Sequence, residues 1–305
     1  MMEDQRKKVT ILTLKDMKRR GEKIAALSIY DALHARLFER ALGDVIIVGD
    51  SAGMVIQNRP NTLGVTMDEM IIYAQAVRRG TDKLFVVGDM PLGSYEVSNE
   101  DAVRSALRFI KEAGCNAVKI ETNQAYVDRV RAVANLCLVI AHLGLNPNKA
   151  EILGGYRTQG RTRESADELL RVATAVEKAG AFLILLESVT EEVAALVRQS
   201  VKVPVIGIAA GRKLDGQLVI SADLLGLYEW PGNKPKHFEQ YRTESGGLTI
   251  ADATLSAFSW YTQAVKDGSF PKDENVHHIP EKEHEEFHGW LKLQELESKV
   301  SVEPE

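Results

Sequence analysis

Short, almost uninterrupted runs of Val, Ile and Leu recur along this chain, and no other feature limits its fold as tightly. They are IAALSI (24–29), VIIVGD (45–50), LFVVGDM (84–90), AVKIE (117–121), LCLVIAHLG (136–144), FLILLES (182–188) and VPVIGIAA (203–210), with a weaker eighth around Leu224–Leu227. Being apolar at consecutive rather than alternate positions, they predict strands buried on both faces, as in a parallel sheet. Between them, Asp31–Leu42, Met67–Arg79, Asn99–Ala113, Arg163–Ala179 and Thr190–Gln199 carry apolar residues at the period of amphipathic helices. Thr66 with Glu69 and Ser98 with Asp101 read as helix N-caps; Gly80, Gly114 and Gly180 stand where helices should stop. The alternation predicts an α/β fold, a (β/α)8 TIM-type barrel with an N-terminal helix and an extra C-terminal helix. A doubly wound open sheet is the alternative, which the count of eight disfavours.

No Pro/Gly/Ser-rich linker divides the chain, so residues 1–280 are expected to form the barrel and catalytic domain, and 281–305 a helical tail. Within that tail, 281–298 suits one amphipathic helix, with Phe287, Trp290 and Leu291 on one side. Residues 228–246 break the rhythm and are expected to form a loop with a short helix.

A net charge of −5 with interspersed signs offers no basic footprint, so nucleic acid is not an expected partner. Cys115 and Cys137 lie in apolar segments without paired spacing, as reduced thiols in a cytoplasmic protein would. The first residues are too polar for a signal peptide, and no apolar run reaches the roughly 20 residues of a membrane span.

Acids cluster at one kind of place. Four runs end in a carboxylate: Asp50, Asp89, Glu121 and Glu187. An unpaired acid inside a buried strand costs several kcal/mol, but the C-terminal ends of barrel strands converge on one mouth, where active sites form. Four acids gathered there would raise each other's pKa unless a positive group compensated. A hard divalent ion such as Mg2+ does so with oxygen ligands; zinc fits less well, since no Cys/His cluster accompanies the acids. Pairing of these acids with Lys or Arg at the rim, Lys119 being the nearest, is the plainer alternative. Lys119 and Glu121 are two positions apart and share a strand face, so Lys119 suggests a bound anion. His142 lies late in the fifth run, as a pocket residue or a satisfied core histidine. GDSAGM (49–54) offers Ser51 and free backbone amides to an anion. GGYRTQGR (154–161) reads as a glycine-rich lid or a turn.

These motifs resemble one family, ketopantoate hydroxymethyltransferase, from about Leu12 to Pro271. The likeness runs in order through YDALHARLF (30–38), VGDSAGM (48–54), TLGVTMDEM (62–70), AVRRG (76–80), GDMPLGSY (88–95), EAGCNAVKIE (112–121), HLGLNP (142–147), GGYRTQGR (154–161), LLES (185–188), VPVIGIAAG (203–211) and DGQ (215–217). The resemblance implies an aldol-type transfer in pantothenate biosynthesis: a hydroxymethyl group from 5,10-methylenetetrahydrofolate is added to 3-methyl-2-oxobutanoate through a metal-stabilised enolate, giving 2-dehydropantoate. It also implies roles by position. Asp50 and Asp89 match the magnesium ligands, with Glu121 near the ion directly or through water; one Mg2+ per subunit is expected. Glu187 matches the general base, Ser51, Asp89 and Lys119 the groups around the keto acid, and His142 the lining of the same pocket. The family's homo-oligomers make self-association an expectation.

The chain departs from the family pattern at Gly64, at Ile72-Tyr73-Ala74, at Thr122-Asn123, at Ala209 where glycine is usual, and at Ala222. The acids are untouched, so the departures bear on substrate and one-carbon donor. Two other readings therefore stand beside the transferase: a divergent relative doing metal-dependent carbon–carbon chemistry on another 2-keto acid, and a non-catalytic binding relative. Barrels of the phosphoenolpyruvate mutase and isocitrate lyase kind share the metal–enolate logic, but no match to their cysteine-bearing loop occurs.

Overall fold

The computed structural model describes residues 7–150, 152, 154–230, 235, 238–244, 247–267, 269, 272, 275 and 289. Its contacts divide the chain into two compact units, Met1–Ile250 and Ala251–Glu305. The boundary expected at residue 280 and nearly all of the helix expected over 281–298 lie outside the described residues.

In the first unit, helix α1 (Ile11–Arg20) precedes β1 (Ile24–Ser28), α2 (Ala32–Arg40), β2 (Val45–Val48), α3 (Ala52–Val55), α4 (Met67–Gly80) and β3 (Phe85–Asp89). There follow α5 (Asn99–Lys111), β4 (Ala117–Glu121), α6 (Val127–Ala134), β5 (Leu138–Gly144), α7 (Arg163–Ala179), β6 (Leu183–Glu187), α8 (Glu191–Ser200), β7 (Val205–Ile208), β8 (Gly216–Ile220) and α9 (Ser221–Leu225). All eight strands are parallel and close on themselves in sequence order, β8 pairing with β1. The barrel expected from the sequence is therefore present, and the open sheet is not.

Two strand-level differences are informative. The eighth strand is GQLVI (216–220); Leu224 and Leu225 belong instead to α9, which Gly226 ends in the left-handed conformation at φ 70°. The true strand is short, opens with Gly216 and holds the exposed Gln217, so its apolar signal is diluted. Helix α6 follows a three-residue 3-10 turn and spans only eight residues, too few for its period to stand out. The cap at Thr66–Glu69 forms a reciprocal box, and Ser98 accepts from Asp101 N as expected. Gly80 is the last residue of α4 rather than a left-handed stop; its missing side chain admits the Ala32 backbone.

Strand parity sorts the core. Val45 and Ile47 of β2, Phe85 and Val87 of β3, Ile140 of β5, and Leu183 and Leu185 of β6 fill the barrel interior, while Ile46, Val86, Val118, Val139 and Ile184 pack beneath the helices. Val9, Leu14 and Met17, at and before α1, join the interior cluster and close the N-terminal end. The inward parity then continues into polar groups at the other end: Ala26–Ser28, Val87–Asp89, Ala117–Lys119–Glu121, Ile140–His142 and Leu185–Glu187. Each of these five strands is apolar where it crosses the core and polar where it emerges, whereas β7 and β8 stay apolar through Ile208 and Ile220.

The second unit contains all but the first residue of α10 (Ile250–Lys266), which exposes Leu255, Phe258, Trp260 and Val265. Among the described residues no helix is long and apolar enough to cross a membrane.

Candidate active site

A cavity of about 340 Å³ opens at the C-terminal end of the barrel, lined by Asp50, Ser51, Asp89, Lys119 and Glu187, with Tyr156, Asp223 and Trp230 on its other walls. Strand register brings the charged groups together: Asp89 lies beside Lys119, Glu121 beside His142, and Gly144 beside Glu187. Asp50 and Glu187, 137 positions apart in the chain, thus meet in one space.

Asp89 is at the centre and only 1% exposed. Its Oδ2 accepts from Lys119 Nζ at 2.8 Å and from Asp50 N at 3.0 Å. Asp50 Oδ2 in turn accepts from Asn148 Nδ2 at 2.8 Å, while Asn148 N approaches Glu121 Oε2 at 3.3 Å. Asp50 and Asp89 thus keep Oδ1 for another ligand. Gly49 leaves room for the neighbouring hydroxyl, because a Cβ there would come within 2.7 Å of Ser51 Oγ.

Burial pushes the Asp89 carboxyl up, Lys119 pulling against it and Asp50 adding to the rise. Glu121 is held well above the usual carboxylate range by burial and by Asp50. Burial alone would lower the Lys119 ammonium, but Asp89, Asp50 and Glu121 outweigh it, so Lys119 stays charged. The rim pairing considered as the plainer alternative is therefore real for Asp89 and Lys119. Among the described residues that line the cavity, Lys119 is nevertheless the one cation against Asp50, Asp89, Glu187 and Asp223, and a divalent cation would relieve the excess.

The donor set discriminates among cations. Among the described residues, no three His, Cys, Asp or Glu side chains form a preformed ligand cluster. Two carboxylates with water and substrate oxygens suit Mg2+; a closed zinc site needs four protein ligands. Glu121 does not line the cavity and is tied to Asn148, which suits contact through water better than direct ligation.

Lys119 and His142 are linked behind the cavity wall. His142 is fully buried; its Nδ1 is 3.4 Å from Lys119 Nζ, and its Nε2 is 3.3 Å from Glu187 Oε2, out of line for a good hydrogen bond. Burial and the Lys119 charge lower its pKa, favouring the neutral ring. A neutral ring beside an ammonium accepts at Nδ1 and carries its proton on Nε2, facing Glu187. His142 therefore does not line the pocket but stands between Lys119 and Glu187. The Glu187 side chain keeps 22% of its exposure and faces the cavity. The next residue, Ser188, is held at φ 49°, a strained non-glycine conformation of the kind found at functional sites.

The loop GDSAGM differs from expectation. The amides of Asp50, Ala52, Gly53 and Met54 are already used, by Asp89 Oδ2 and by the carbonyls of Gly49, Asp50 and Ser51. The short turn of α3 consumes the donors an anion would need. Ser51 still reaches the cavity, its Oγ bonded at 2.8 Å to the buried Tyr30 hydroxyl. The glycine-rich segment after β5 is anchored, since Gln159 bridges to Val189 and Gln159 N donates to Ser188 O at 2.7 Å. Ala209, where the family carries glycine, lines the cavity at φ 54°.

Asn148, Tyr30, Tyr156, Asp223 and Trp230 were not anticipated as site residues. YDALHARLF and HLGLNP pointed to their neighbourhoods, but nothing in one sequence marks Asn148 as a bridge between Asp50 and Glu121. Asp223 Oδ1 accepts from Trp230 Nε1 at 2.9 Å, and its buried Oδ2 has no hydrogen-bond partner among the described residues.

Comparison with known proteins agrees with this geometry. A profile of the ketopantoate hydroxymethyltransferase family matches residues 8–273. The chain is 42% identical over 274 residues to 3-methyl-2-oxobutanoate hydroxymethyltransferase of Alkaliphilus metalliredigens (strain QYMF), covering 90% of this chain and 94% of that one. Identity is also 42% over 272 residues to the enzyme of that name from Moorella thermoacetica (strain ATCC 39073 / JCM 9320), with 89% and 98% covered. Among solved structures, phosphonopyruvate hydrolase in complex with oxalate and Mg2+ superposes with a TM-score of 0.57 at 16% identity, covering 95% of this chain and 98% of that one. The lyase 2,3-dimethylmalate lyase gives 0.54 at 16% identity, again with 95% and 98% covered. Those two share the fold, whereas the family match and the 42% identities extend along nearly the whole described barrel, and the chain belongs to the ketopantoate hydroxymethyltransferase family.

Proposed function

We propose that this protein transfers a hydroxymethyl group from 5,10-methylenetetrahydrofolate to 3-methyl-2-oxobutanoate, giving 2-dehydropantoate. Membership of the family supports the activity, and one observation supports the roles: a deep Asp50–Asp89–Lys119 cluster facing Glu187 across one cavity.

Asp50 and Asp89 would hold Mg2+, with Glu121 acting through water. When bound, the ion supplies positive charge to the carboxylate and keto oxygens of the substrate, lowering the cost of enolate formation. Lys119 adds a fixed charge beside those oxygens. Ser51, oriented by Tyr30, donates to the keto acid. Glu187 removes the proton from carbon 3, and the partly enclosed cavity limits competing water. His142 presents Nε2–H toward Glu187 and orients it, a positioning role rather than a substrate contact. One water hydrolyses the methylene group from the folate as formaldehyde, releasing tetrahydrofolate; the activated carbon would then add to that carbonyl carbon, and its oxygen takes up the proton to become the new hydroxyl.

Self-association belongs to the same proposal. Leu255, Phe258, Trp260 and Val265 of α10 leave a run of apolar surface in water, and light scattering would report the oligomer.

The decisive assay combines purified protein, Mg2+, 3-methyl-2-oxobutanoate and 5,10-methylenetetrahydrofolate. Product formation that requires Mg2+ is expected. Deuterium exchange at carbon 3 without transfer would replace this proposal by a related enolate-forming enzyme, and neither activity would leave a binding protein.

A further inference from the structure

The cavity has two unlike ends. One holds Asp50, Asp89 and Lys119 and suits a hard cation with an anionic, oxygen-rich ligand. The other is formed by Ile208, Leu218, Ile220 and Trp230, and its one buried charged group is Asp223. Asp223 stands on α9, directly after β8, which lies diametrically across the closed barrel from β4 and Lys119.

Its carboxyl is 1% exposed, with Oδ1 taken by Trp230 Nε1 and Oδ2 buried and unpaired. Burial raises it to about 6, and only the Trp230 N–H opposes the rise. Buried acceptors in folded proteins are almost always paired, and Oδ2 lies beside a cavity whose occupant can supply the donor. A metal ion is a poor candidate, since the walls around Asp223 are Ile208, Leu218, Ile220 and Trp230, which offer no second anionic oxygen. The 2-keto acid is poorer still. It offers only oxygen acceptors and a negative charge, both of which Asp223 repels. An N–H donor on a flat body suits Oδ2 together with the apolar and aromatic walls around it.

Resting on the folate chemistry proposed above, we infer that Asp223 recognises the one-carbon donor, its Oδ2 accepting an N–H of the reduced pterin ring beside Trp230. The two substrates then occupy different parts of one cavity, with the keto acid at the acids of β2 and β3 and the pterin at the β8 wall. The single carboxylate gives the ring an orientation that the apolar wall alone would not.

The test is a comparison of Asp223→Asn with the wild-type enzyme in two measurements. KM for 5,10-methylenetetrahydrofolate is expected to rise about tenfold or more, as for loss of a hydrogen bond to a charged acceptor. KM for the keto acid and the folate-independent deuterium exchange at carbon 3 should stay within about twofold, the scatter expected of a distant substitution. Trp230→Phe, which keeps a ring and the carboxylate, should raise the folate KM less than Asp223→Asn; the reverse order would place recognition on the indole and overturn the inference. So would a folate KM unmoved in Asp223→Asn, or a loss confined to affinity for the product's new hydroxyl. A wild-type protein that exchanges deuterium but makes no product from folate would overturn the proposed function as well. Normal wild-type transfer with an unmoved variant KM would overturn this inference alone.

Discussion

The two ends of the barrel treat buried acid in opposite ways. At the N-terminal end, Asp215 is 3% exposed and fully answered: Arg198 Nε is 2.7 Å from Oδ1, Lys18 Nζ is 3.3 Å from Oδ2, and Val205 N donates to Oδ2 at 2.9 Å. Lys18 also donates to the carbonyls of Val201 and Val203, tying α1 to the barrel floor. At the C-terminal end, Lys119 is the one cation among the described cavity-lining residues, against Asp50, Asp89, Glu187 and Asp223, and burial drives Asp89, Glu121 and Asp223 upward. A carboxylate with two cations stabilises the fold. Carboxylates that outnumber their cations destabilise it, and they persist because a ligand completes them.

The largest expected effect lies at the mouth. Glu187→Gln should lower both transfer and carbon-3 exchange by about a thousandfold or more, with chemical denaturation unchanged; an active variant would remove Glu187 as the base. Next comes the floor. Asp215→Asn leaves Lys18 and Arg198 without a carboxylate and should cost about 3 kcal/mol in denaturation, while kcat/KM of the folded enzyme holds. Activity lost without a change in stability would erase the contrast between the two ends.

Asp89→Asn should raise the Mg2+ concentration for half activity about 100-fold. Its stability without Mg2+ should not fall, because the substitution relieves like charge; a clear fall would put Asp89 with Asp215 as a structural acid. Asp223→Asn carries a pH signature. The folded carboxyl titrates at about 6 against an ordinary 3.8, so the folded chain binds the proton more tightly between those values. Wild-type stability therefore falls as pH rises through that window, and the deficit is complete above about pH 7. The variant lacks it and should be more stable by about 2 kcal/mol at pH 7.5, the gain vanishing below about pH 4. Equal stability at both pH values would mean that Asp223 is satisfied in the folded protein. The smallest effect is Ala209→Gly. It relieves a left-handed residue at φ 54° and should stabilise by about 1 kcal/mol or less, since glycine's extra unfolded-state freedom offsets part of the gain.

Much of the fold and the acidic half of the site could be read from residue order, and the failures follow a rule. AVKIE identified a strand, put Lys119 and Glu121 on one face and located the mouth, because parity is local. The eighth strand was misplaced onto Leu224–Leu227, since GQLVI is brief and half exposed while the neighbouring leucines belong to a helix. GDSAGM offered amides that its own turn consumes. His142 was expected to line the pocket and instead stands behind it, because one strand face holds groups at different depths. Asn148, Tyr30 and Asp223 act through partners 98, 21 and 7 residues away, and no spacing within a motif announces such pairs.

By itself the order of residues determined that apolar runs become buried strands, that amphipathic stretches cover them, and that an acid ends each of four strands. Those outcomes depend on period and solvation, which act over a few residues at a time. Closure of β8 onto β1, the depth of each inward side chain and the single cavity shared by Asp50, Glu187 and Asp223 were decided by tertiary structure. They depend on distances across the barrel, which hydrogen-bonded register sets and sequence separation does not.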